Sequence, residues 1–147
     1  LWTVRDPKLS FFWFEFRYSL TNLLNSIKPG TADQVFYQGP ELVDTRLGKF
    51  KVRRGTQDAA IISPAFEASD LHFLQQLIER KKAEEVEFGV IDIGANIGTF
   101  SVRAALLSNC RLWVFEPVPD NMRLLKENFQ LNQIGQDRVQ FFELALS

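Results

Sequence analysis

The stretch Asp92-Ile93-Gly94-Ala95-Asn96-Ile97-Gly98 limits what this chain can fold into more than any other. Residues 88–91 before it are an apolar run and read as a buried strand, and residues 99–107 after it read as a helix. A strand, a turn held by glycines and the opening of a helix form the place where a nucleotide-like ligand meets a parallel sheet. A second strand, also read as buried, follows at 112–115 and ends in Glu116. In such folds a carboxylate at that position holds the two hydroxyls of a ribose. The two signals stand in register and reinforce each other.

Glycine spacing separates the nucleotide folds. The dinucleotide fingerprint places glycines two and five residues after the first. Counted from Gly94, those positions hold Asn96 and Thr99, which argues against an NAD-dependent oxidoreductase. What remains is D-x-G-x-x-x-G, the form used by Rossmann-like enzymes that bind S-adenosylmethionine. Taken with Phe115-Glu116-Pro117-Val118-Pro119-Asp120-Asn121, with Leu124-Leu125-Lys126-Glu127-Asn128 and with Leu131-Asn132, the loop resembles the FkbM family of methyltransferases. Gly55-Thr56-Gln57-Asp58, ahead of the first helix of that domain, resembles the family as well. The similarity runs over roughly residues 43 to 147. It implies an α/β, Rossmann-like class I methyltransferase fold, S-adenosyl-L-methionine as cofactor, and O-methylation of a sugar or small-molecule hydroxyl. A non-catalytic binding domain of the same fold and an NAD-dependent oxidoreductase are the rival readings.

The residues suit that cofactor. Gly94 and Gly98 let the backbone approach a ligand with no Cβ in the way. The N–H groups at the helix opening can meet a carboxylate tail. Asp92 and Asn96 can supply polar contacts to the amino-acid end, and Thr99 can cap the turn or reach the ligand. Glu116 can accept hydrogen bonds from both ribose hydroxyls. By the resemblance, Ala145 borders the adenine. Each residue also has a purely structural reading: tight-turn glycines, a loop-orienting Asp92, an Asn96 suited to turn geometry, a helix-start Thr99 and a solvated strand end at Glu116. No catalytic base is identifiable. His72 is the single histidine and Cys110 the single cysteine, so neither a closed zinc site nor an intrachain disulfide can form.

Composition sets the remaining bounds. The chain has 147 residues, 46% apolar and 24% charged, as expected of a globular domain. A net charge of −1 argues against a nucleic-acid surface. The lone cysteine and the lack of a charge-then-apolar leader fit a cytoplasmic protein. The chain starts at Leu1 and stops after a third strand at 139–144, which reads as the N-terminal part of a longer domain.

Before the loop, residues 10–27 carry apolar side chains at helical spacing and are closed by Pro29-Gly30. This aromatic helix either packs on the domain or lies in a membrane interface. Residues 1–41 read as an N-terminal extension of the methyltransferase portion at 42–147. Residues 42–46 and 50–54 read as a hairpin around Leu47-Gly48-Lys49, and Ser69 as the cap of a helix over 69–82. Strands 88–93, 111–116 and 139–144 alternate with helices 98–108 and 119–132, the last with Gly135 just past its end. That alternation predicts a parallel sheet.

Overall fold

The expected alternation is present, and it places two helices against one side of a short parallel sheet. The computed structural model describes residues 7–28, 36–64 and 66–146. The Pro29-Gly30 stop lies outside the described residues. In chain order the elements are α1 (Pro7–Ile27), β1 (Leu42–Thr45), β2 (Gly48–Lys51), α2 (Asp58–Ile61), α3 (Ala68–Ala83), β3 (Gly89–Ile93), α4 (Thr99–Leu107), β4 (Arg111–Phe115), α5 (Pro119–Leu131) and β5 (Val139–Phe142). A 3-10 turn, Gln136–Arg138, leads into β5. The sheet has the order β3-β4-β5, all parallel, and β1 pairs with β2 as an antiparallel hairpin.

Side-chain alternation along the strands decides what is buried. Leu112 and Val114 of β4 are buried with Val102 and Ala105 of α4 and with Leu125 and Phe129 of α5. The other face carries Ile91 and Ile93, each 64% exposed, beside the half-buried Trp113, Phe115 and Phe142. The rings of Phe115 and Phe142 stack there at 4.5 Å. The expectation of a buried strand at 88–91 is therefore corrected. β3 is half-covered because α4 and α5 lie on one face only, and β4 is its only strand neighbour among the described residues.

Three local expectations shift for physical reasons. The hairpin turn is two residues, Arg46 and Leu47, so β2 starts at Gly48 rather than at Phe50. α3 begins at Ala68 behind a left-handed Glu67, whose carbonyl accepts from the N–H groups of Asp70 and Leu71, and Ser69 is inside the helix rather than its cap. At the end of α5 the left-handed residue is Gln133, not Gly135. Gln133 N–H donates to Gln130 O and Ile134 N–H to Phe129 O, the paired bonds that close a helix while the next apolar side chain folds back. The guanidinium of Arg138 donates to the carbonyls of Ala105, Ser108 and Cys110, so the end of α4 and the residues just past it are satisfied from the 3-10 turn that leads into β5.

The hairpin is fastened by two asparagines of α5. Four residues of a helix advance about 6 Å, close to the ~6.6 Å that two residues span in a strand. Asn128 and Asn132 therefore match Lys51 and Lys49. Asn128 Oδ1 accepts from Lys51 N at 2.7 Å, and Asn132 Oδ1 accepts from Lys49 N at 2.9 Å. Asn132 Nδ2 donates back to Lys49 O at 2.7 Å, and Asn128 Nδ2 donates to Ile97 O, in the glycine loop, at 2.9 Å. The side-chain amides thus extend the ladder along the edge of β2. Asn128 is fully buried, so Asn128→Ala orphans Lys51 N–H and Ile97 C=O. The expected cost is about 1–3 kcal/mol for stranding these groups, read as a lower midpoint in urea unfolding.

α1 faces two ways. Phe11 and Phe14, each 5% exposed, stack with each other and pack edge-on against Tyr37, in the same buried cluster as Val43. The opposite side presents Phe12, Trp13, Phe16, Leu20, Leu23 and Ile27 to solvent. No described helix is long and apolar enough to cross a membrane.

Candidate functional site

Parallel pairing sets Ile93 beside Phe115 and Phe115 beside Phe142, so the chain leaves all three strands at one level. Just past that level lie the 94–98 loop, Glu116 and residues 143–146. The loop is stitched to the end of β4. Phe115 O accepts from Gly94 N at 2.9 Å and from Ala95 N at 3.0 Å, and Glu116 Oε2 accepts from Asn96 N at 2.8 Å. Asn96 takes a left-handed φ of 51°, which asparagine tolerates better than most side chains. The loop is thus held open by backbone bonds and one carboxylate.

Its two glycines do different work. Gly94 has φ +76°, is exposed, and has nothing within 4 Å of where a Cβ would stand. Gly98 has φ +93°, but there a Cβ would meet Leu125 Cγ at 3.2 Å and Val102 Cγ2 at 3.6 Å. Gly94 leaves room beside the strand ends, whereas Gly98 lets α4 close on α5. Thr99 is 3% exposed and donates its hydroxyl to Ile61 O at 3.4 Å, joining α4 to α2. Gly98, ahead of α4, supplies no side-chain cap, while the Asp92 carboxylate takes the backbone N–H of Ser101 in the first turn; the positive end of the helix dipole lies at this turn.

Two carboxylates flank the loop. Glu116 is 4% exposed and takes three protein donors: Asn96 N on Oε2, and Val118 N at 3.0 Å and Asn121 Nδ2 at 3.2 Å on Oε1. A carboxylate has about four acceptor positions, so most of its capacity serves the loop and the start of α5. A strand end of this kind is not solvated, whatever else it binds. Asp92 is partly buried and accepts a short hydrogen bond from Ser101 Oγ. Burial pushes the Asp92 carboxyl above its ordinary range; the Ser101 bonds pull it back, and the nearby Glu116 charge adds a smaller upward push.

A carboxyl raised in the folded state favours folding while it is protonated, and that advantage is lost as pH rises through its folded pKa. Asp92→Asn keeps an acceptor for Ser101 and removes the buried charge. The variant is expected to be more stable than the parent at about pH 8 and to lose that lead as the pH is lowered to about 4, because protonation relieves the burial cost in the parent. Urea melts at the two pH values check this; an Asn variant that is less stable at both would show that the ionised form is held favourably.

Ala145 lies beyond the end of β5 and is exposed. His72 is exposed on α3, and Cys110 is buried ahead of β4. Sequence reasoning gave no role to Asp58, and it did not single out Arg53. Arg53 Nε and Nη2 donate to Asp58 Oδ2 and Oδ1 at 2.8 and 2.9 Å, and Nη2 also donates to Asn121 Oδ1 at 2.9 Å. The signal was present in two quoted segments, one ending in Asp58 and the other in Asn121. What was missing was their distance in space.

No family model and no curated protein matches the sequence. Solved structures do. The SAM-dependent methyltransferase from Agrobacterium tumefaciens matches with a TM-score of 0.57 at 14% identity, over 80% of this chain and 35% of that one. TYW2 of P. horikoshii, in complex with MeSAdo, matches with a TM-score of 0.53 at 18% identity, over 89% of this chain and 48% of that one. The chain thus spans between about a third and a half of the length of these two relatives. At such identities the shared property is the fold, which is the Rossmann-like α/β fold of the S-adenosylmethionine-dependent methyltransferases.

Proposed function

We propose that residues 42–147 form the N-terminal part of the S-adenosylmethionine-binding domain of an FkbM-type methyltransferase, with residues 1–41 as a helical extension. The observation that supports this reading most is the joining of the 94–98 loop to the end of β4 through Phe115 O and Glu116 Oε2. The site suits the group. Gly94 leaves space, Gly98 puts no side chain over the start of α4, and the Asp92 carboxyl stands at that helix opening through its bonds to Ser101.

S-adenosylmethionine supplies, when bound, a methyl group already activated by a sulfonium. This chain's task is then to bind and align. The loop and the first turn of α4 hold the carboxylate of the amino-acid tail. Asp92 and Asn96 border the same end, Glu116 takes the ribose through Oε2, and Ala145 borders the adenine. Alignment of an acceptor hydroxyl with the methyl carbon lowers the barrier by proximity. The acceptor we favour is a hydroxyl of a sugar or small molecule, on the FkbM resemblance.

Calorimetry tests the reading directly. The protein is expected to bind S-adenosylhomocysteine, and to prefer it to NAD by about tenfold or more, equivalent to about 1.4 kcal/mol. Tighter binding of NAD would overturn the cofactor assignment.

A further inference from the structure

Glu116 belongs to a chain of directed hydrogen bonds that reaches back to the hairpin. Asp58 is 3% exposed in its side chain and is clamped by Arg53 through Nε, Nη2 and its backbone N–H. The clamp raises the pKa of Arg53, chiefly through the Asp58 hydrogen bond. A guanidinium can only donate. Asn121 must therefore turn its Oδ1 toward Arg53 Nη2, and this leaves its Nδ2 facing Glu116. The arginine fixes the sense of the amide, and the amide can then only donate to the carboxylate. With Val118 N–H on the same atom, Oε1 of Glu116 is filled, and Oε2 is the oxygen left to serve the loop and a ligand.

We propose that Arg53, Asp58 and Asn121 are positioning residues for ribose recognition: they lock Glu116 so that Oε2 meets the cofactor's hydroxyls. This rests on the assignment of Glu116 to the ribose made above. It gives a role to the segment ending in Asp58, which stands 58 residues before Glu116 in the chain (116 − 58) and touches no ligand in the proposal.

The test uses two ligands, S-adenosylhomocysteine and its 2′,3′-dideoxy analogue, and the parent protein against Asn121→Asp. Aspartate at 121 keeps an acceptor for Arg53, so a purely structural tie is retained, but it turns an acceptor toward Glu116. The parent is expected to prefer the ligand with hydroxyls by about tenfold or more, as the loss of a charge-assisted bond implies. In Asn121→Asp the preference should fall below about threefold while the dideoxy analogue binds as before. Asn121→Ala, which removes the donor without adding charge, should show the same loss if the aspartate variant fails to fold. Equal weakening of both ligands, or an intact preference in the variants, overturns the relay. Failure of the parent to bind either ligand would overturn the cofactor reading instead, and equal binding of both by the parent would remove Glu116 from the ribose.

Discussion

Gly94→Val is expected to abolish S-adenosylhomocysteine binding and leave a folded domain, whereas Gly98→Val is expected to unfold it. Both glycines have positive φ, so both substitutions carry backbone strain of about 1–3 kcal/mol. The surroundings then separate them. A Cβ at Gly94 meets nothing within 4 Å, so the cost ends with the strain, and the new side chain stands in the space the proposed ligand needs. A Cβ at Gly98 comes to 3.2 Å from Leu125 Cγ and 3.7 Å from Phe129 Cε2, both on the buried face of α5. Overpacking there adds about 1–3 kcal/mol, and the sum approaches the whole stability of a small domain. Circular dichroism melts and calorimetry on the two variants read the contrast. A Gly94→Val protein that binds normally would show that the ligand does not approach this loop.

How much of this was legible in the sequence follows from the range of each interaction. The alternation from residue 88 onward was readable because apolar runs, helix openings and a proline at a first helical position are local signals. The burial of β3 was misread for the same reason: an apolar run is a local signal, whereas burial depends on what packs against each face, and among the described residues only one face of β3 is covered. Gly135 looked like the helix-ending residue because glycine takes positive φ without cost, yet Gln133 takes it, held by two backbone bonds and by Ile134 folding onto the core.

The candidate site shows the same division. Gly94, Gly98 and Glu116 were visible from spacing, but spacing could not say that Gly98 faces α5 while Gly94 faces open space. Thr99 sits against α2, a neighbour 38 residues away. Asn128 and Asn132 could be quoted as part of a resemblance but not explained, because their partners Lys51 and Lys49 lie 77 and 83 residues earlier. Polar side chains that bond distant backbone have no periodicity to betray them.

Glu116→Gln is expected to damage both the loop and the ligand site, and the two effects can be read apart. The substitution keeps the volume of a side chain that is 4% exposed and surrounded by donors. Glutamate offers acceptors on both oxygens, to Asn96 N on one side and to Val118 N and Asn121 Nδ2 on the other. Glutamine has one oxygen and one NH₂ group. If its oxygen stays with Val118 and Asn121, its NH₂ faces the Asn96 N–H, and two donors meet. If it flips, the clash moves to the other pair. Either way at least one buried donor goes unpaired, at about 1–3 kcal/mol, which urea unfolding should show as a lower midpoint with an unchanged slope. On the ligand side the acceptor for the ribose becomes a donor without charge, and affinity for S-adenosylhomocysteine should fall by about 10- to 100-fold, as expected for a lost charge-assisted bond. A variant that is less stable but binds as tightly as the parent would make Glu116 a clip for the 94–98 loop and nothing more.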